Sequence, residues 1–347
     1  MNMSPVSNNN FLARFMRDED LSQTEAARLL DWFLDGTATE AQIAATLIAL
    51  KRKGETIEEL AGLAEGMRAR ARRINARHRC FIDTAGTGSS SAKTFNVSTA
   101  AAFVIAGAGL PVAKHGNRAA SSRCGSADVL SALGVNVSVD HSVSETCLNE
   151  IGICFMFAPL YHSATARVAA IRRELGVHTT FNLLGPLTNP AGAPRQIIGV
   201  WSRDLIEPMA QTLARLGSER AWVVHGEDGL DEITIAGRTF VAEAENGAVR
   251  SFEITPDDFG LSGSALDELR CDDVATSASL IKSVLSGELK DAAADLVFVN
   301  AAAALVVGGL ADDLRAGVRL ARQSIDSGAA MEKLNALIRA TTEDATN

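Results

Sequence analysis

Residues 80–113 read CFIDTAGTGSSSAKTFNVSTAAAFVIAGAGLPVA, and this stretch decides the fold. The apolar run at 80–82 predicts a short strand, the glycine and hydroxyl residues after it predict a turn, and the Ala-rich segment that follows predicts a helix. Residues 94–113 carry no charge, but they are rich in small residues and are interrupted by Pro111, which favours a buried core element over a membrane span. The stretch therefore predicts a strand, a turn and a helix inside one domain.

The same pattern continues toward the C-terminus. Four more short apolar runs are separated by helical stretches: 135–137, 153–157, 196–200 and 222–225. Two later runs, 239–243 and 248–254, flank Asn246 and Gly247, a residue pair typical of a two-residue β-hairpin. Strands that alternate with helices form a sheet covered by those helices, and a hairpin adds antiparallel strands to it. The sequence therefore predicts an α/β fold with a mixed central sheet.

The N-terminal part of the chain predicts a small helical unit. Three helices there begin with a capping residue and a capping-box partner three positions later: Ser22 with Glu25, Thr39 with Gln42, and Thr56 with Glu59. Gly36 stands where the first of these helices ends. At the other end of the chain, residues 291–340 also have a helical pattern, whereas residues 341–347 predict a loose terminus.

Charge and cysteine content narrow the class of protein. The chain has 42 acidic and 33 basic residues, a net charge of −9 that repels polyanions, so no nucleic-acid partner is expected. Residues 1–10 contain no basic segment followed by an apolar one, so neither a secretory signal nor a membrane partner is predicted. The five cysteines show no CxxC spacing and are odd in number, which favours reduced thiols in the cytoplasm over disulfides or a metal cluster.

The turn after the first predicted strand is suited to binding phosphate. Gly86 and Gly88 let the backbone approach an anion closely, and successive amide groups there can form an anion-binding nest. Ser98 and Thr99 lie near the start of the predicted helix, where free N–H groups and the helix dipole favour phosphate. The segment is neither a Walker A motif nor a GxGxxG fingerprint. The competing interpretation is a tight turn with ordinary helix caps.

A basic segment follows at residues 112–126, VAKHGNRAASSRCGS. In a chain of negative net charge, the local group formed by Lys114, Arg118 and Arg123 suits an anionic small molecule. The competing interpretation is a solvated basic loop, although the neighbouring apolar run makes full exposure a poorer fit.

Asp231 and Glu232 are the candidate metal ligands. They follow the strand predicted at 222–225, and oxygen ligands beside a phosphate-binding loop are what Mg²⁺ requires. On a regular strand the two side chains would point to opposite faces, so the site needs a turn, which Gly229 supplies. A solvated acidic loop is the competing interpretation.

Further polar candidates lie between these segments. Arg172 can reach a carboxylate, whereas Arg167 and Arg173 are interpreted as exposed helix charges. His162, beside an apolar segment, is interpreted as a structural hydrogen-bonding residue. Gly185 and the prolines near it mark a rigid linking segment.

Four segments together carry a resemblance to a known family: NVST at 96–99, KHGNR at 114–118, FNLLGP at 181–186 and GLDE at 229–232. With matching stretches in the same order over nearly the whole chain, the sequence resembles the anthranilate phosphoribosyltransferase family of tryptophan biosynthesis. The resemblance implies a helical domain at 1–76, completed by a segment near 167–190, and an α/β domain of the nucleoside phosphorylase and phosphoribosyltransferase type at 77–166 and 191–347. It also implies a homodimer that forms through the helical domain.

The resemblance implies a site for phosphoribosyl pyrophosphate (PRPP) as well. The residues expected to bind PRPP are Gly86, Ser89, Ser90, Thr94, Asn96, Val97, Ser98, Thr99, Lys114, His115, Gly116, Asn117, Arg118, Ser121, Ser122 and Ser126. The expected ligands of the cofactor Mg²⁺ are Ser98, Asp231 and Glu232.

Anthranilate is the second substrate that the resemblance implies. It would contact Gly86, Asn117 and Arg172, and His162 would line its route of entry. In the implied reaction the anthranilate amine attacks C1 of the ribose as pyrophosphate leaves. Orientation and charge neutralisation carry such a reaction, so no residue is assigned as a catalytic acid or base.

Two positions depart from the family pattern. Ser89 and Ser90 stand where the family reads Gly-Asp, so a carboxylate is lost, while serine hydroxyls can still bond to phosphate or ribose oxygens. Leu160 stands where the family often has a basic residue. These departures keep open a transferase or phosphorylase of the same fold that acts on a different aromatic amine or base. A non-catalytic paralogue that binds nucleic acid or protein is a further alternative, which the acidic net charge disfavours.

Overall fold

A computed structural model describes residues 10–88, 92, 94–118, 124–271 and 273–343 of the chain. The α-helices are α1 (Phe11–Phe15), α2 (Gln23–Leu34), α3 (Glu40–Lys53), α4 (Ile57–Arg70), α5 (Val97–Gly107), α6 (Ser126–Ala132), α7 (His141–Thr146), α8 (Ala158–Tyr161), α9 (Ala166–Leu175), α10 (Phe181–Leu187), α11 (Ile206–Arg215), α12 (Val274–Leu285), α13 (Ala292–Val307), α14 (Leu314–Asp326) and α15 (Ala329–Glu343). The strands are β1 (Ile82–Gly86), β2 (Val112–Gly116), β3 (Ile153–Phe157), β4 (Arg195–Gly199), β5 (Arg220–Gly226), β6 (Thr239–Glu245) and β7 (Ala248–Ile254). None of the described helices has both the length and the hydropathy needed to cross a lipid bilayer.

Within the described residues the strands form one sheet in the order β3-β2-β1-β4-β5-β6-β7. Strands β1 to β5 run parallel to one another, and Ile82 of β1 is in register with Val112 on one side and Arg195 on the other. Strands β6 and β7 continue the sheet in the antiparallel sense. The carboxyl ends of the parallel strands therefore meet at one edge. The strand order reverses between β1 and β4, which is where open α/β sheets bind ligands.

Different helices cover the two faces of the sheet. Because side chains alternate along a strand, neighbouring residues of one strand belong to different apolar cores. Ile197, Trp222 and Val224 belong to an apolar core with α5 and the helices α12 to α15. Ile198 and Val223 belong to a second core with α1 to α4 and α9 to α11. The predicted α/β fold, with a mixed sheet and a small N-terminal helical domain, is confirmed.

The N-terminal helices form as their caps predict. The side chains of Ser22, Thr39 and Thr56 each accept a hydrogen bond from the backbone N–H three residues on, and the partner side chain bonds back, so all three capping boxes are confirmed. Gly62 lets α4 pack against α2, since a Cβ there would lie 2.1 Å from the backbone oxygen of Gln23. Helices α9 and α10 pack onto the same group. The residues at which one domain ends and the other begins stay predictions.

One predicted strand is absent and the predicted hairpin is confirmed. Residues 135–137 form no strand, because they lie in the irregular segment after α6, although both valines there are buried. Strands β6 and β7 are joined by Asn246 and Gly247, whose positive φ angles of 51° and 81° suit a type I′ turn. Helix α15 continues to Glu343, into the segment for which a loose terminus is predicted.

Strands β1 and β2 differ from the sequence pattern. Strand β1 lies further along the chain than the apolar run at 80–82 and includes part of the glycine-rich segment. Strand β2 lacks a continuous apolar run, because Lys114 and His115 interrupt it, yet both side chains are buried. Burial of a charged residue on a strand requires partners from elsewhere in the chain, and such partners leave no local sequence signal.

A buried ion pair holds the start of α4. Oε1 of Glu59 accepts a hydrogen bond from the backbone N of Leu21 at 3.0 Å. Oε2 of Glu59 accepts from the backbone N of Thr56 at 2.8 Å and from Nζ of Lys53 at 2.9 Å. Both side chains of the pair are buried, whereas Asp20, the second partner of Lys53, is exposed. Removing the Glu59 charge would leave a buried ammonium group poorly compensated.

We expect Glu59→Gln to lower the free energy of unfolding by about 3 kcal/mol, because breaking a buried ion pair leaves one charge unpaired. Glu65→Gln is the matched control, since Glu65 is exposed on the same helix, and it should change the free energy by less than about 0.5 kcal/mol. Urea denaturation followed by circular dichroism measures both values. Equal effects of the two substitutions would contradict the role assigned to Glu59.

Candidate active site

A cleft of about 590 Å³ lies at the carboxyl ends of β1, β2, β4 and β5. The strand ends, the loops that follow them and the start of α5 form its floor. Helices α9 and α10, which pack with the N-terminal helices, contribute Arg172, Phe181 and Asn182 to a wall. The cleft thus lies between two groups of helices, at the switch point of the sheet.

Most of the predicted site residues that the structure describes line this cleft: Gly86, Thr94, Asn96, Ser98, Lys114, His115, Gly116, Asn117, Arg118, Ser126, Arg172, Asp231 and Glu232. Other predicted positions lie outside the described residues: Ser89, Ser90, Ser121, Ser122 and Arg123. The fold therefore brings together segments that are far apart in the sequence, and the role of each residue stays a prediction.

Val97, Thr99 and His162 lie outside the lining of the cleft, and the roles expected for them stay predictions. Val97 and Thr99 are fully buried at the start of α5. Successive residues of a helix point about 100° apart, so Ser98 faces the cleft while its two neighbours do not. The ring of His162 is buried beside that of His115, with centroids 5.2 Å apart.

Lys114 brings a buried positive charge to the floor of the cleft. Its Nζ donates to the backbone oxygen of Thr84, to Oγ1 of Thr84 at 3.3 Å and to Oγ of Ser98 at 3.3 Å. Burial lowers the pKa of Lys114, while the carboxylates of Asp83 and Glu232 raise it. The interpretation as a solvated loop is therefore wrong for this residue. Its ammonium group is held between β1 and α5, where it can neutralise a phosphate.

The carboxylate of Asp83 forms hydrogen bonds to two other segments beneath the floor of the cleft. This buried carboxylate accepts a hydrogen bond from the backbone N of His115 at 3.1 Å and from Nδ2 of Asn189 at 2.7 Å. Asn189 also donates to the backbone oxygen of Ala113 at 2.8 Å. Burial raises the pKa of Asp83 to about 6, against the lowering effect of Lys114. Strands β1 and β2 are thereby joined to the segment that leads from α10 to β4.

The loop after β5 brings Asp231 to the same floor. Gly229 has a positive φ of 85°, which provides the predicted turn. A Cβ at Gly199 would lie 1.5 Å from the backbone oxygen of Asp231, so only glycine permits this approach of the loop to β4. A Cβ at Gly86 would lie 3.5 Å from Oδ2 of Asp231. The Asp231 carboxylate is therefore close to the end of β1.

Glu232 has the environment of a cation ligand. Its Oε1 accepts a hydrogen bond from the backbone N of Ser98 at 2.9 Å, whereas its buried Oε2 has no hydrogen-bond partner among the described residues. Burial, and then the charge of Asp231, raises the pKa of Glu232 to about 8. Two carboxylates and the Ser98 hydroxyl are oxygen donors, which fit Mg²⁺ when water completes its shell. The described residues contain no cluster of three or more His, Cys, Asp or Glu able to hold a metal.

Arg172 is a half-buried cation on the cleft wall. Its Nη2 donates to Oδ1 of Asn182 at 3.1 Å, and its guanidinium lies over the ring of Phe181, 5.5 Å from the centroid. Its buried Nε has no hydrogen-bond partner in the described part of the chain. Burial lowers the pKa of Arg172, although a guanidinium keeps its charge at neutral pH. A desolvated cation with free donors is stabilised when an anion binds to it.

Arg118 and Asn117 form the rim of the cleft beyond β2. Nη1 of Arg118 pairs with Oδ1 of Asp128 at 2.9 Å, and its backbone N donates to Oδ1 of Asn117 at 2.7 Å. Oγ of Ser126 donates to the backbone oxygen of Asn117 at 3.4 Å. A Cβ at Gly116 would lie 2.4 Å from Oγ of Ser126, so the close contact requires glycine there. The Arg118 side chain is exposed and can still reach a ligand at the rim.

Thr94 and Asn96 lie between β1 and α5. Thr94 forms an isolated β-bridge with Arg270. Oδ1 of Asn96 accepts hydrogen bonds from Oγ of Ser277 and Sγ of Cys124, both at 3.0 Å. The segment that leads into α5 is thus fixed by contacts from outside the glycine-rich turn.

The cleft wall also contains residues that the sequence does not predict as site residues. Phe181 and Asn182 belong to a segment interpreted as a rigid linker, and His178 lies just before it. The ring of His178 packs against Trp201 with centroids 4.7 Å apart, and burial lowers the pKa of His178. These positions carry no chemical motif, and only the resemblance over 181–186 draws attention to them.

Comparison with known proteins agrees with this architecture. The model described as "Glycosyl transferase family, helical bundle domain" matches residues 9–71, and the model described as "Glycosyl transferase family, a/b domain" matches residues 78–331. Anthranilate phosphoribosyltransferase from Anaeromyxobacter dehalogenans is 53% identical to the chain over 331 residues, which is 95% of this chain and 98% of that protein.

Solved structures give the same relationship. Anthranilate phosphoribosyltransferase from Thermus thermophilus matches with a TM-score of 0.90 at 39% identity, over 96% of this chain and 99% of that chain. The enzyme from Saccharomyces cerevisiae in complex with PRPP and Mg matches with a TM-score of 0.87 at 27% identity, over 97% of this chain and 99% of that chain. Since the likeness extends over both domains in sequence and structure, the chain belongs to the anthranilate phosphoribosyltransferase family.

Proposed function

We propose that this chain transfers the 5-phosphoribosyl group of PRPP to the amine of anthranilate, which yields N-(5-phosphoribosyl)anthranilate and pyrophosphate in tryptophan biosynthesis. It acts as a glycosyltransferase of the pentosyltransferase class. One observation carries the proposal: a single cleft has a buried cation and paired carboxylates in its floor and a second cation, Arg172, in its wall. Two anionic substrates can thus be bound side by side. The names of the relatives support the same reaction.

We assign the floor of the cleft to PRPP. Lys114 supplies a positive charge there, and the start of α5 directs the positive end of its helix dipole toward the floor. Asn117 and Arg118 add donors at the rim. The low dielectric around the buried ammonium strengthens its attraction for a phosphate.

Mg²⁺ is the cofactor we propose, and Asp231, Glu232 and the hydroxyl of Ser98 are its proposed ligands. When bound, it would neutralise charge on the pyrophosphate as the glycosidic bond breaks. The buried, unpartnered Oε2 of Glu232 supports this assignment. The yeast relative solved with PRPP and Mg supports it as well.

The chain's own residues then orient the acceptor. Arg172 attracts the carboxylate of anthranilate, which leaves the amine directed toward the ribose on the floor. An aromatic amine is neutral near pH 7, so the attack on C1 requires no strong general base. His115 lies close by, but burial lowers its pKa to about 3, so it stays neutral and adds no charge.

The reaction is tested by the fluorescence of anthranilate mixed with the purified protein, PRPP and Mg²⁺. We expect the signal to fall only when all components are present, and EDTA to prevent the fall. Asp231→Ala should lower kcat/KM by about 100-fold or more, because charge on the leaving group is no longer neutralised. Glu227→Gln, exposed on the same loop, is the matched control and should retain activity.

A different acceptor would give a different result in that assay. Anthranilate fluorescence would stay constant with the unaltered protein, and pyrophosphate would be released only when another amine or base is supplied. In that case the acceptor would be another amine or base, and the assignment of the PRPP site would stand.

Arg172→Ala should raise KM for anthranilate by about 100-fold, since the carboxylate loses a charge-assisted partner. KM for PRPP should change by less than about threefold, because PRPP is assigned to the floor. Arg173→Ala is the matched control, since Arg173 is the next residue and is exposed. Steady-state kinetics with each substrate varied in turn measures both constants. Equal rises in the two KM values would argue against the assignment.

We further propose a homodimer in the cytoplasm that forms through the helical domain. The outer face of α3 exposes Ala41, Ala45 and Ile48, and Met16, which follows α1, is 61% exposed. Burial of this apolar surface against a second copy is favourable. The five cysteines all lie in the described part of the chain and form no disulfide, which supports a reducing compartment.

Light scattering during size-exclusion chromatography should give twice the mass of one chain. We expect Ile48→Asp to shift the protein to the monomer, because a charge in an apolar interface is costly to desolvate. Leu310→Asp makes the same change at an apolar residue that is 45% exposed outside the helical domain, and it should remain dimeric. Monomers for the unaltered chain, or dimers for Ile48→Asp, would refute an interface at α3.

A further inference from the structure

We propose that Asn182 is a specificity-determining residue, whose side-chain amide donates to the carboxylate of the acceptor beside Arg172, which rests on the function proposed above. Asn182 is the second residue of α10 and lines the cleft. Asn182 belongs to the FNLLGP segment at 181–186, but the sequence assigns no role in the site to its side chain. Its hydrogen bonds carry the assignment.

The orientation of the Asn182 amide is fixed by its neighbours. Its Oδ1 accepts from Nη2 of Arg172 at 3.1 Å and from the backbone N of Thr179 at 3.0 Å. A guanidinium and a backbone N–H can only donate. If the amide were turned around, its NH₂ group would face two donors, so the oxygen must occupy this position.

The NH₂ group of Asn182 is therefore the end that remains for a ligand. Nδ2 makes no hydrogen bond to the described residues, and the half-buried side chain forms part of the cleft surface. Two N–H donors are thus available next to the guanidinium of Arg172. Asn182 therefore has two possible contacts at the cleft, since its oxygen binds Arg172 and its NH₂ group is free for a ligand.

The hydrogen-bond donors of this wall favour a ligand group that accepts hydrogen bonds and donates none. The described residues that α9, α10 and the segment between them contribute to the cleft include no carboxylate: Arg172, His178, Phe181, Asn182, Gly185 and Pro186. The buried Nε of Arg172 also has no partner among the described residues. A carboxylate offers two charged acceptor atoms to these donors. A carboxamide offers one acceptor and brings two donors of its own, which would face the donors of the wall.

Asn182→Asp tests this inference because it changes one atom of the contact. The aspartate keeps an oxygen that accepts from Arg172 and Thr179, but it replaces the two donors of Nδ2 by an acceptor. The catalytic efficiency kcat/KM is measured at pH 8 with anthranilate and with its neutral amide, 2-aminobenzamide. At that pH His178 is uncharged, since burial lowers its pKa below the ordinary value.

We expect the efficiency with anthranilate to fall by about 50-fold, because two carboxylates would face each other. The efficiency with 2-aminobenzamide should rise by about fivefold over that of the unaltered protein, because the aspartate accepts from the amide N–H. KM for PRPP and the thermal unfolding midpoint should stay unchanged. A residue that only positions Arg172 would give no rise with the amide, and that result overturns the proposal.

Asn136→Asp is the matched control. Oδ1 of Asn136 also accepts a backbone hydrogen bond, from Ser138 at 3.0 Å, and this residue does not line the cleft. The ratio of the two efficiencies should equal that of the unaltered protein. A shift of the ratio in this control would show that added negative charge alone alters acceptor choice and would overturn the assignment.

Arg172→Met is a second variant that leaves Asn182 intact, should Asn182→Asp not fold. It removes the guanidinium, yet the Asn182 amide should still favour anthranilate over 2-aminobenzamide by about threefold. Equal efficiencies would overturn the proposal. Failure of the unaltered protein to consume anthranilate would overturn the proposed function and this inference together, whereas normal activity combined with an unchanged acceptor ratio in Asn182→Asp overturns the inference alone.

Discussion

The buried carboxylate of Asp83 is the contact on which the cleft depends. It receives hydrogen bonds from the strand next to it and from Asn189, which lies on the segment between α10 and β4. Burying a charge is costly, and this cost is offset only while those donors and the nearby ammonium of Lys114 stay in place. One buried side chain thus connects β1, β2 and the segment after α10 beneath the floor of the cleft.

Two positive charges with different surroundings divide the cleft between two anionic ligands. Lys114 is surrounded by hydroxyls and carboxylates, so it suits a phosphate that arrives with a metal ion. Arg172 has an aromatic ring and an amide beside it, which suits a flat molecule that carries a carboxylate. Because the whole chain is acidic, with a net charge of −9, these local cations select anions without attracting polyanions.

The sequence predicts best those features that are determined within a few residues. The capping boxes at Ser22, Thr39 and Thr56 and the turn at Asn246 involve contacts between near neighbours in the chain, and each forms as predicted. The apolar run at 135–137 fails as a strand because burial alone does not specify strand geometry. Apolar residues also occur where a loop crosses the core.

The site is harder to predict because its residues obtain their roles from distant segments. In the sequence, the charge of Lys114 suggests a solvent-exposed loop. Only the folded chain shows that its ammonium group is buried and bonds to Thr84 and Ser98. A contiguous motif also suggests that neighbouring residues share a role. In α5, however, Ser98 lines the cleft, whereas Val97 and Thr99 do not. The resemblance to a family identified the segments, whereas only packing shows which side chains face the cleft.

Strands β4 and β5 supply alternate side chains to both apolar cores. If either group of helices separated from the sheet, one face of β4 and β5 would be exposed. Loss of one group of helices should therefore weaken the packing of the other on the opposite face, because both pack on the same two strands. The stability of the two groups of helices on either side of the cleft is thus coupled through one pair of strands.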